Sequence, residues 1–222
     1  MFFATLGANV AWGLSGQPGW ARDGECEARC RVGKAKPVRL RRIIDAAAQL
    51  FSERLYHEVR MDDVAAQADV SKGTLYTYFK DKDDLYLALI RDGLDRLLVR
   101  IEAGFANAQT PEAKVLAFVS ESLRFFDCHF HWLELIQRAE VLGSDFGCSP
   151  LGESKAKLHA LMNGIARELQ ETGRYAIDDP ALASLALFGM TREIIRSYPR
   201  PWPEGLADWI AARFLGGLAR QP

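Results

Sequence analysis

The chain has 222 residues, of which 49% are hydrophobic and 26% are charged, and its formal net charge is −1. This length and composition are typical of a globular protein with one large or two small domains. No apolar run approaches the ~18 residues that cross a bilayer. The sequence therefore predicts a soluble protein and argues against a membrane-spanning one.

Residues 1–36 show no helical or strand periodicity, and they begin with Met1-Phe2-Phe3 in place of the basic start of a secretory signal. Cys26 and Cys30 have C-x3-C spacing without a second pair downstream, which is a weak pattern for zinc. We expect this segment to be disordered or to be an extension created by an early start-codon assignment, with Val32 as an alternative start.

A helix is predicted from about Pro37 to Arg54, because its apolar residues repeat at helical spacing. Two shorter helical patterns follow between Arg60 and Phe79. Ser71 is a candidate N-cap for the second of them, in which Leu75 and Phe79 are spaced for burial. Two short helices with a tight turn and a polar outer face on the second are typical of a helix-turn-helix with a recognition helix.

A long fourth helix is predicted from about Lys82 to Phe105, and it connects this head to the rest of the chain. Thr110 and Pro111 have the residue types of a helix N-cap and first helical position. Further helical patterns span about 111–127, 129–142, 151–172, 179–197 and 204–219. Few runs alternate with period two, so the predicted fold class is all-α.

The charges are distributed unevenly along the chain. Between Lys34 and Lys80 there are nine basic and six acidic residues, so this part carries +3 and the remainder carries −4. A basic N-terminal module favours a polyanionic partner such as DNA. An ordinary solvated surface is the alternative explanation of the same asymmetry.

The stretch from Arg41 to Ile90 resembles the DNA-binding domain of TetR-family transcriptional regulators. The resemblance rests on four short motifs, Ile43-Ile44-Asp45-Ala46-Ala47 with Leu50-Phe51, Val64-Ala65, the run from Val70 to Phe79, and Lys82-Asp83-Asp84-Leu85. Three positions depart from the family pattern. Asp69 and Leu55 stand where the family usually has glycine, and Arg60 stands where a Ser or Thr cap is common.

The resemblance implies an N-terminal three-helix DNA-binding head over residues 37–97, with the helix-turn-helix at 60–79, and a C-terminal helical ligand-binding and dimerisation bundle over 98–222. It implies that Lys72, Gly73 and Thr74 face base edges, and that Tyr76, Tyr78 and Lys82 hold phosphates. The full set of expected DNA-contacting residues is Lys36, Arg39, Arg41, Arg60, Met61, Ser71, Lys72, Gly73, Thr74, Tyr76, Thr77, Tyr78 and Lys82.

The body after Phe105 is rich in aromatic residues, which either fill an ordinary helical core or line a pocket for an apolar effector. The predicted pocket residues are Phe118, Phe125, Phe126, His129 and Trp132. Cys128, His129 and His131 are close in sequence but point in different directions on a helix, so a metal site is not indicated.

The last two helical patterns carry wide apolar stripes, and in TetR-like proteins the final two helices pair with those of a second subunit. The predicted dimer interface comprises Leu182, Leu185, Gly189, Leu206, Trp209, Ile210 and Phe214. Packing of the same residues within one chain is the alternative.

The sequence as a whole predicts a cytoplasmic bacterial transcription regulator that associates with the nucleoid when bound to DNA. We interpret it as a homodimeric repressor released from operator DNA by a small apolar or aromatic effector, without a cofactor. A transcriptional activator, or a ligand-binding or scaffold protein with a degenerate DNA-binding head, is the alternative. No Gly-rich phosphate loop and no Ser/His/Asp grouping is present, so an enzyme is disfavoured.

Overall fold

The structure is a computed structural model that describes residues 38–129, 132, 135–136 and 150–219. This part of the chain confirms the all-α prediction, and its one β feature is an isolated bridge between Tyr175 and Ala219. The helices within the described residues are α1 Val38–Glu53, α2 Met61–Gln67, α3 Lys72–Tyr78, α4 Lys82–Ala106, α5 Pro111–Cys128, α6 Pro150–Glu171, α7 Pro180–Ser197 and α8 Leu206–Leu218.

Polar side chains fix the N-termini of several helices. Ser71, Asp81, Thr110 and Asp179 each accept a hydrogen bond from a backbone N–H in the first turn of the following helix. A proline follows Thr110 and Asp179 directly, at a position where no backbone hydrogen bond is lost. The predicted caps Ser71 and Thr110 are therefore confirmed.

The head is a small three-helix unit in which α1 packs on α2 and α4, and α2 packs on α3. Two short helices cannot bury enough apolar surface alone, so the apolar face of α1 completes their core. The fully buried members of this core include Ile43, Ala47, Val64, Leu75 and Leu85.

Helix α4 belongs to both the head and the body. Its N-terminal half packs on α1, where the rings of Tyr86 and Phe51 meet edge-to-face at 5.1 Å. Its C-terminal half packs on α5 and α6, where Arg100 pairs with Glu121 at 2.9 Å. With 25 residues that rise ~1.5 Å each, α4 is the longest described helix. It is the main mechanical link between head and body.

The body is a bundle in which α5 contacts α4, α6, α7 and α8, and α6 packs along α7. Within the predicted helix at 129–142, the described residues Trp132, Leu135 and Ile136 are helical and buried. The expectation for residues 1–36 lies outside the described part of the chain, and the division into a head at 37–97 and a body at 98–222 stays a prediction. No described helix is long and apolar enough to cross a membrane.

Candidate nucleic-acid interface and ligand cavity

The turn between α2 and α3 is closed by the backbone and by one ion pair. The N–H of Val70 donates to the carbonyl of Ala65 at 3.0 Å, which reverses the chain after α2. Asp69 has a φ of +51°, a left-handed conformation that Asp tolerates better than most residues. Its carboxylate lies 2.7 Å from the guanidinium of Arg42 on α1. The turn therefore forms with Asp in place of the usual glycine.

The start of α3 is held by its own polar side chains. The N–H of Thr74 donates to the Ser71 hydroxyl at 3.1 Å, and the two hydroxyl groups lie 2.8 Å apart. Leu75 and Phe79 are buried in the head. The opposite face of α3 is exposed, and it carries Lys72, Gly73, Tyr76, Thr77 and Tyr78. This arrangement presents the polar face of a short helix to solvent, as a recognition helix requires.

Lys72 is exposed at the first position of α3 and pairs with Asp62 of α2 at 2.8 Å. The hydrogen bond to Asp62 and the negative charge of that carboxylate raise the pKa of the Lys72 ammonium. The Lys72 ammonium therefore stays charged at neutral pH and available at the surface of the head. Exchange of Asp62 for a base edge requires only the opening of an exposed ion pair, which solvent screens strongly.

Lys82 lies at the first turn of α4 and is turned toward the head. Its ammonium donates to the carbonyls of Tyr56 and Val59, at 2.9 and 3.2 Å, and lies 4.3 Å from the centroid of the Tyr56 ring. The Tyr56 hydroxyl donates to Asp83. Burial, reinforced by that carboxylate, raises the pKa of Tyr56. Lys82 thus fixes the connection between α1 and α2 against α4.

The other predicted DNA-contacting residues occupy different environments. Arg39 and Arg60 are exposed, whereas the side chain of Met61 is buried in the head core. Arg41 pairs with Asp45 at 3.1 Å and lies 3.7 Å from Asp92 of α4. Lys36 lies outside the described residues.

A cavity of about 250 Å³ lies in the body between α4, α5, α6 and α7. Most of its lining is apolar and includes Leu94 and Leu97 of α4. The remaining apolar residues are Phe118, Phe126, Ile136, Leu158, Leu185, Phe188 and Ile195.

The polar groups of the cavity are concentrated on α6 and α7. Lys155 and His159 lie one turn apart on α6, and Arg192 lies on α7 beside Thr191. These three basic side chains are half-buried, whereas Ser122 and Thr191 are buried. The described lining contains no Asp or Glu. The cavity therefore combines an apolar interior with basic residues.

The head matches the family model for bacterial regulatory proteins of the tetR family over residues 43–89. The chain therefore carries a tetR-type DNA-binding head. It is a DNA-binding regulator of transcription and not an enzyme.

Relatives of the chain are regulators of the same kind. It is 26% identical to a fatty acid metabolism regulator protein of Bacillus subtilis over 167 residues, which cover 74% of this chain and 86% of that one. It is 36% identical to the HTH-type transcriptional activator FasR of Mycolicibacterium smegmatis over 80 residues, which are 34% of this chain and 36% of that one.

A solved structure of the transcriptional regulator FadR from Bacillus subtilis in complex with stearoyl-CoA has the same fold, with a TM-score of 0.70. The two chains are 22% identical, and the match covers 80% of this chain and 98% of the other. The TetR-type arrangement of an N-terminal head and a helical body thus extends over most of the chain.

The cavity does not coincide with the pocket predicted from the sequence. Phe118 and Phe126 line it, but Phe125, His129 and Trp132 do not. Phe125 stacks on His129 at 4.9 Å, and burial lowers the pKa of that histidine. The indole of Trp132 covers Gly93 of α4, where a Cβ would overlap the ring. These three aromatic residues are interior packing residues.

The basic residues of the cavity, Lys155, His159 and Arg192, are not among the residues predicted from the sequence. The i, i+4 spacing of Lys155 and His159 is visible in the sequence. Which face of α7 lines the cavity is not visible there. Cys128 is in a disulfide, and no group of metal-ligating side chains occurs among the described residues.

The predicted dimer interface separates into an exposed and a buried set. Leu182 is 65% exposed, Leu185 and Trp209 are each 52% exposed, and Gly189 is exposed as well. Leu206 is half-buried. Ile210 and Phe214 are buried within their own subunit, so their side chains are corrected to core positions.

Proposed function

We propose that the chain is a homodimeric repressor that leaves its operator when an apolar, acyl-type ligand fills the cavity. The observation that carries this proposal is the position of Leu94 and Leu97, which line the cavity and belong to α4. A ligand there contacts the helix that connects the body to the DNA-reading head.

DNA reading in this proposal depends on two copies of α3. Two recognition helices enter successive major grooves about 34–36 Å apart. Lys72, Gly73 and Thr74 reach base edges from the exposed end of α3, and Tyr76 and Tyr78 contact phosphates. Arg39 and Arg60 add phosphate contacts because they are exposed cations on the same head.

The second subunit packs on the exposed apolar face of α7 and α8. This dimer face is defined by Leu182, Leu185, Gly189 and Trp209. Large apolar side chains exposed together on a monomer support an interaction surface. The alternative, packing within one chain, accounts for Ile210 and Phe214 but not for these four residues.

Ligand and DNA are coupled through residues 92–97 of α4. Asp92 and Arg96 form a buried ion pair that reaches Arg41 and Asp45 of α1. Leu94 and Leu97, in the same segment, line the cavity. A ligand that displaces this segment moves α1 and therefore α3, which changes the distance between the two recognition helices.

The ligand class is supported by the relatives and by the lining. The Bacillus subtilis relative is named for fatty acid metabolism, and the similar solved structure is described as a complex with stearoyl-CoA. A mainly apolar cavity accepts an acyl chain.

The Mycolicibacterium relative is named an activator, so a promoter-reporter assay in a deletion strain tests the sign of regulation. We further propose a cytoplasmic protein that is nucleoid-associated when bound to its operator.

A mobility-shift assay with the promoter fragment beside its own gene tests the proposal. We expect a salt-dependent shift, because neutralised phosphates release counterions, and release of the DNA on addition of an acyl ligand. Absence of a specific shift at low salt would leave a scaffold protein with a degenerate head as the better interpretation. A specific shift that no apolar ligand affects would refute the effector part.

A further inference from the structure

The size of the cavity and its basic residues limit the ligand. We infer that the cavity binds an amphipathic anion whose apolar part has about ten carbon atoms, with its negative end at Lys155, His159 and Arg192. This inference rests on the proposed effector role and specifies the chemical class of the effector.

The size limit follows from the volume. A protein cavity of ~150 Å³ holds benzene, which gives roughly 25 Å³ per carbon atom. The volume of about 250 Å³ therefore matches about ten carbon atoms. A medium-chain acyl group fits this space in full, whereas an eighteen-carbon chain must leave part of its length outside. Apolar carbons left in water contribute no burial energy.

The charge preference follows from the lining. Three basic side chains from α6 and α7 are half-buried at the cavity, and its described lining has no carboxylate. A cation in a partly buried site forms stronger hydrogen bonds with an anion than a neutral donor does. The buried hydroxyl of Thr191 donates to the Leu187 carbonyl at 2.8 Å, so it is already occupied within its own helix.

The first experiment compares a series of ligands on the purified full-length chain by isothermal titration calorimetry. Saturated fatty acids of six to eighteen carbons vary the length, and 1-decanol removes the charge from the ten-carbon compound. We expect affinity to rise to about ten carbons and then to level off or fall, and decanoate to bind at least about tenfold more tightly than decanol. Affinity that rises steadily to eighteen carbons, or equal binding of decanol, would overturn the inference.

Decanoyl-CoA is included because a free carboxylate and a coenzyme A thioester both carry negative charge. If decanoate binds more tightly, the basic residues recognise a carboxylate. If decanoyl-CoA binds more tightly and the optimum chain length is the same, they recognise the phosphates of coenzyme A. Either result supports an anionic ligand, and failure of both to bind contradicts it.

Variants test the two parts of the inference separately. Lys155→Gln combined with Arg192→Gln should weaken decanoate binding at least about tenfold and leave decanol binding unchanged. Lys157→Gln is the matched control, since it removes an exposed lysine of the same helix that does not line the cavity. Phe188→Ala should shift the optimum toward longer chains, because it removes a ring from the cavity wall. Circular dichroism confirms that each variant is folded.

Operator binding is measured with the same compounds and separates the two proposals. Decanoate that binds with the expected length and charge dependence but does not release DNA supports the ligand class and refutes the effector role. Release of DNA by a ligand with a different length or charge preference supports the effector role and refutes the ligand class.

Discussion

At the scale of single residues, the contacts of Lys82 show a structural effect beside the proposed phosphate contact. Its ammonium holds the carbonyls of Tyr56 and Val59, so it stabilises the head before any DNA is present. A cation at the edge of the head also attracts phosphates. The resemblance to the TetR family supplied only the second effect, since the direction of a lysine side chain is not visible in a sequence.

Lys82→Ala should lower the free energy of unfolding by ~1–3 kcal/mol, because hydrogen bonds to a charged group are lost. It should also weaken binding to all DNA sequences equally and reduce by ~1 the slope of log affinity against log salt concentration. Urea denaturation and salt-dependent titrations measure the two effects. Lys80→Ala is the control, because Lys80 is exposed and only two residues away. A change in sequence preference without a change in salt slope would contradict the phosphate assignment.

Lys72→Ala should weaken specific operator binding by ~1–3 kcal/mol, with a smaller effect on random DNA. Asp62→Asn should have the opposite effect, because it removes the carboxylate that pairs with Lys72 at 2.8 Å. Fluorescence anisotropy with operator and random duplexes measures both. Equal losses on the two duplexes for Lys72→Ala would show that this lysine contacts phosphate and not a base edge.

Substitutions at Asp69 test the left-handed turn. Asp69→Gly loses an exposed ion pair worth ~0–1 kcal/mol but removes backbone strain of similar size, so stability should change little. Asp69→Ala loses the ion pair and keeps the strain, so it should be destabilised by ~1 kcal/mol relative to Asp69→Gly. Thermal denaturation followed by circular dichroism gives the order. Alanine as stable as glycine would mean that the φ of +51° costs little.

At the scale of helices, α4 is constrained by a close contact with Trp132. Gly93 has no side chain, so the indole covers the helix backbone directly. The same turn carries Asp92, which pairs with Arg96, and Leu94, which lines the cavity. Three consecutive residues thus face the head, the packing core and the ligand site.

Gly93→Ala should lower stability by ~1–3 kcal/mol, because overpacking forces α4 and Trp132 apart. It should also change operator affinity, since α4 carries the head. Gly164→Ala is the matched control, because Gly164 is inside α6 with no atom within 4 Å of an added Cβ. That control should be stabilised by ~0.5–1 kcal/mol. Chemical denaturation and operator titration of both variants test this prediction, which fails if the two alanines behave alike.

Local patterns predicted the helices well because the residues that start a helix are adjacent to it in the sequence. Ser71 and Thr110 cap the helices that follow them, and the apolar residues Leu75 and Phe79 face the core as their spacing predicts. The cavity was harder to predict. Phe125 and Trp132 have the same residue types as Phe118, and only the packing of α4 and α7 decides which rings face the ligand space.

At the scale of the whole molecule, the exposed apolar residues of α7 and α8 form the surface that we propose for a second subunit. A dimer is needed because one recognition helix alone lacks the linked second half-site. Ile210 and Phe214 are unsuitable positions for disrupting the dimer, because a charge there enters the core of the subunit. Leu182 and Trp209 are exposed and can be changed without opening that core.

Leu182→Glu combined with Trp209→Glu should give a folded monomer with little operator affinity. The reason is that carboxylates at the exposed apolar face oppose burial against a partner, whereas each subunit keeps its own core. Light scattering measures the mass, and circular dichroism measures the fold. Leu55→Glu is the control, since Leu55 is exposed on the head. A double variant that remains dimeric would place the dimer face elsewhere.

The segment of α4 at residues 92–97 separates two binding surfaces that can evolve independently. The residues proposed to contact DNA lie in the head, chiefly on α3, and the residues that enclose the cavity lie mainly on α5, α6 and α7. The two sets share no residue and are connected through that segment. New ligand preferences can therefore arise by substitution after residue 110 without altering the preferred operator. A chimera that keeps residues 38–106 and takes its bundle from a TetR-family regulator should respond to a new inducer at an old promoter, provided Gly93 still faces a tryptophan.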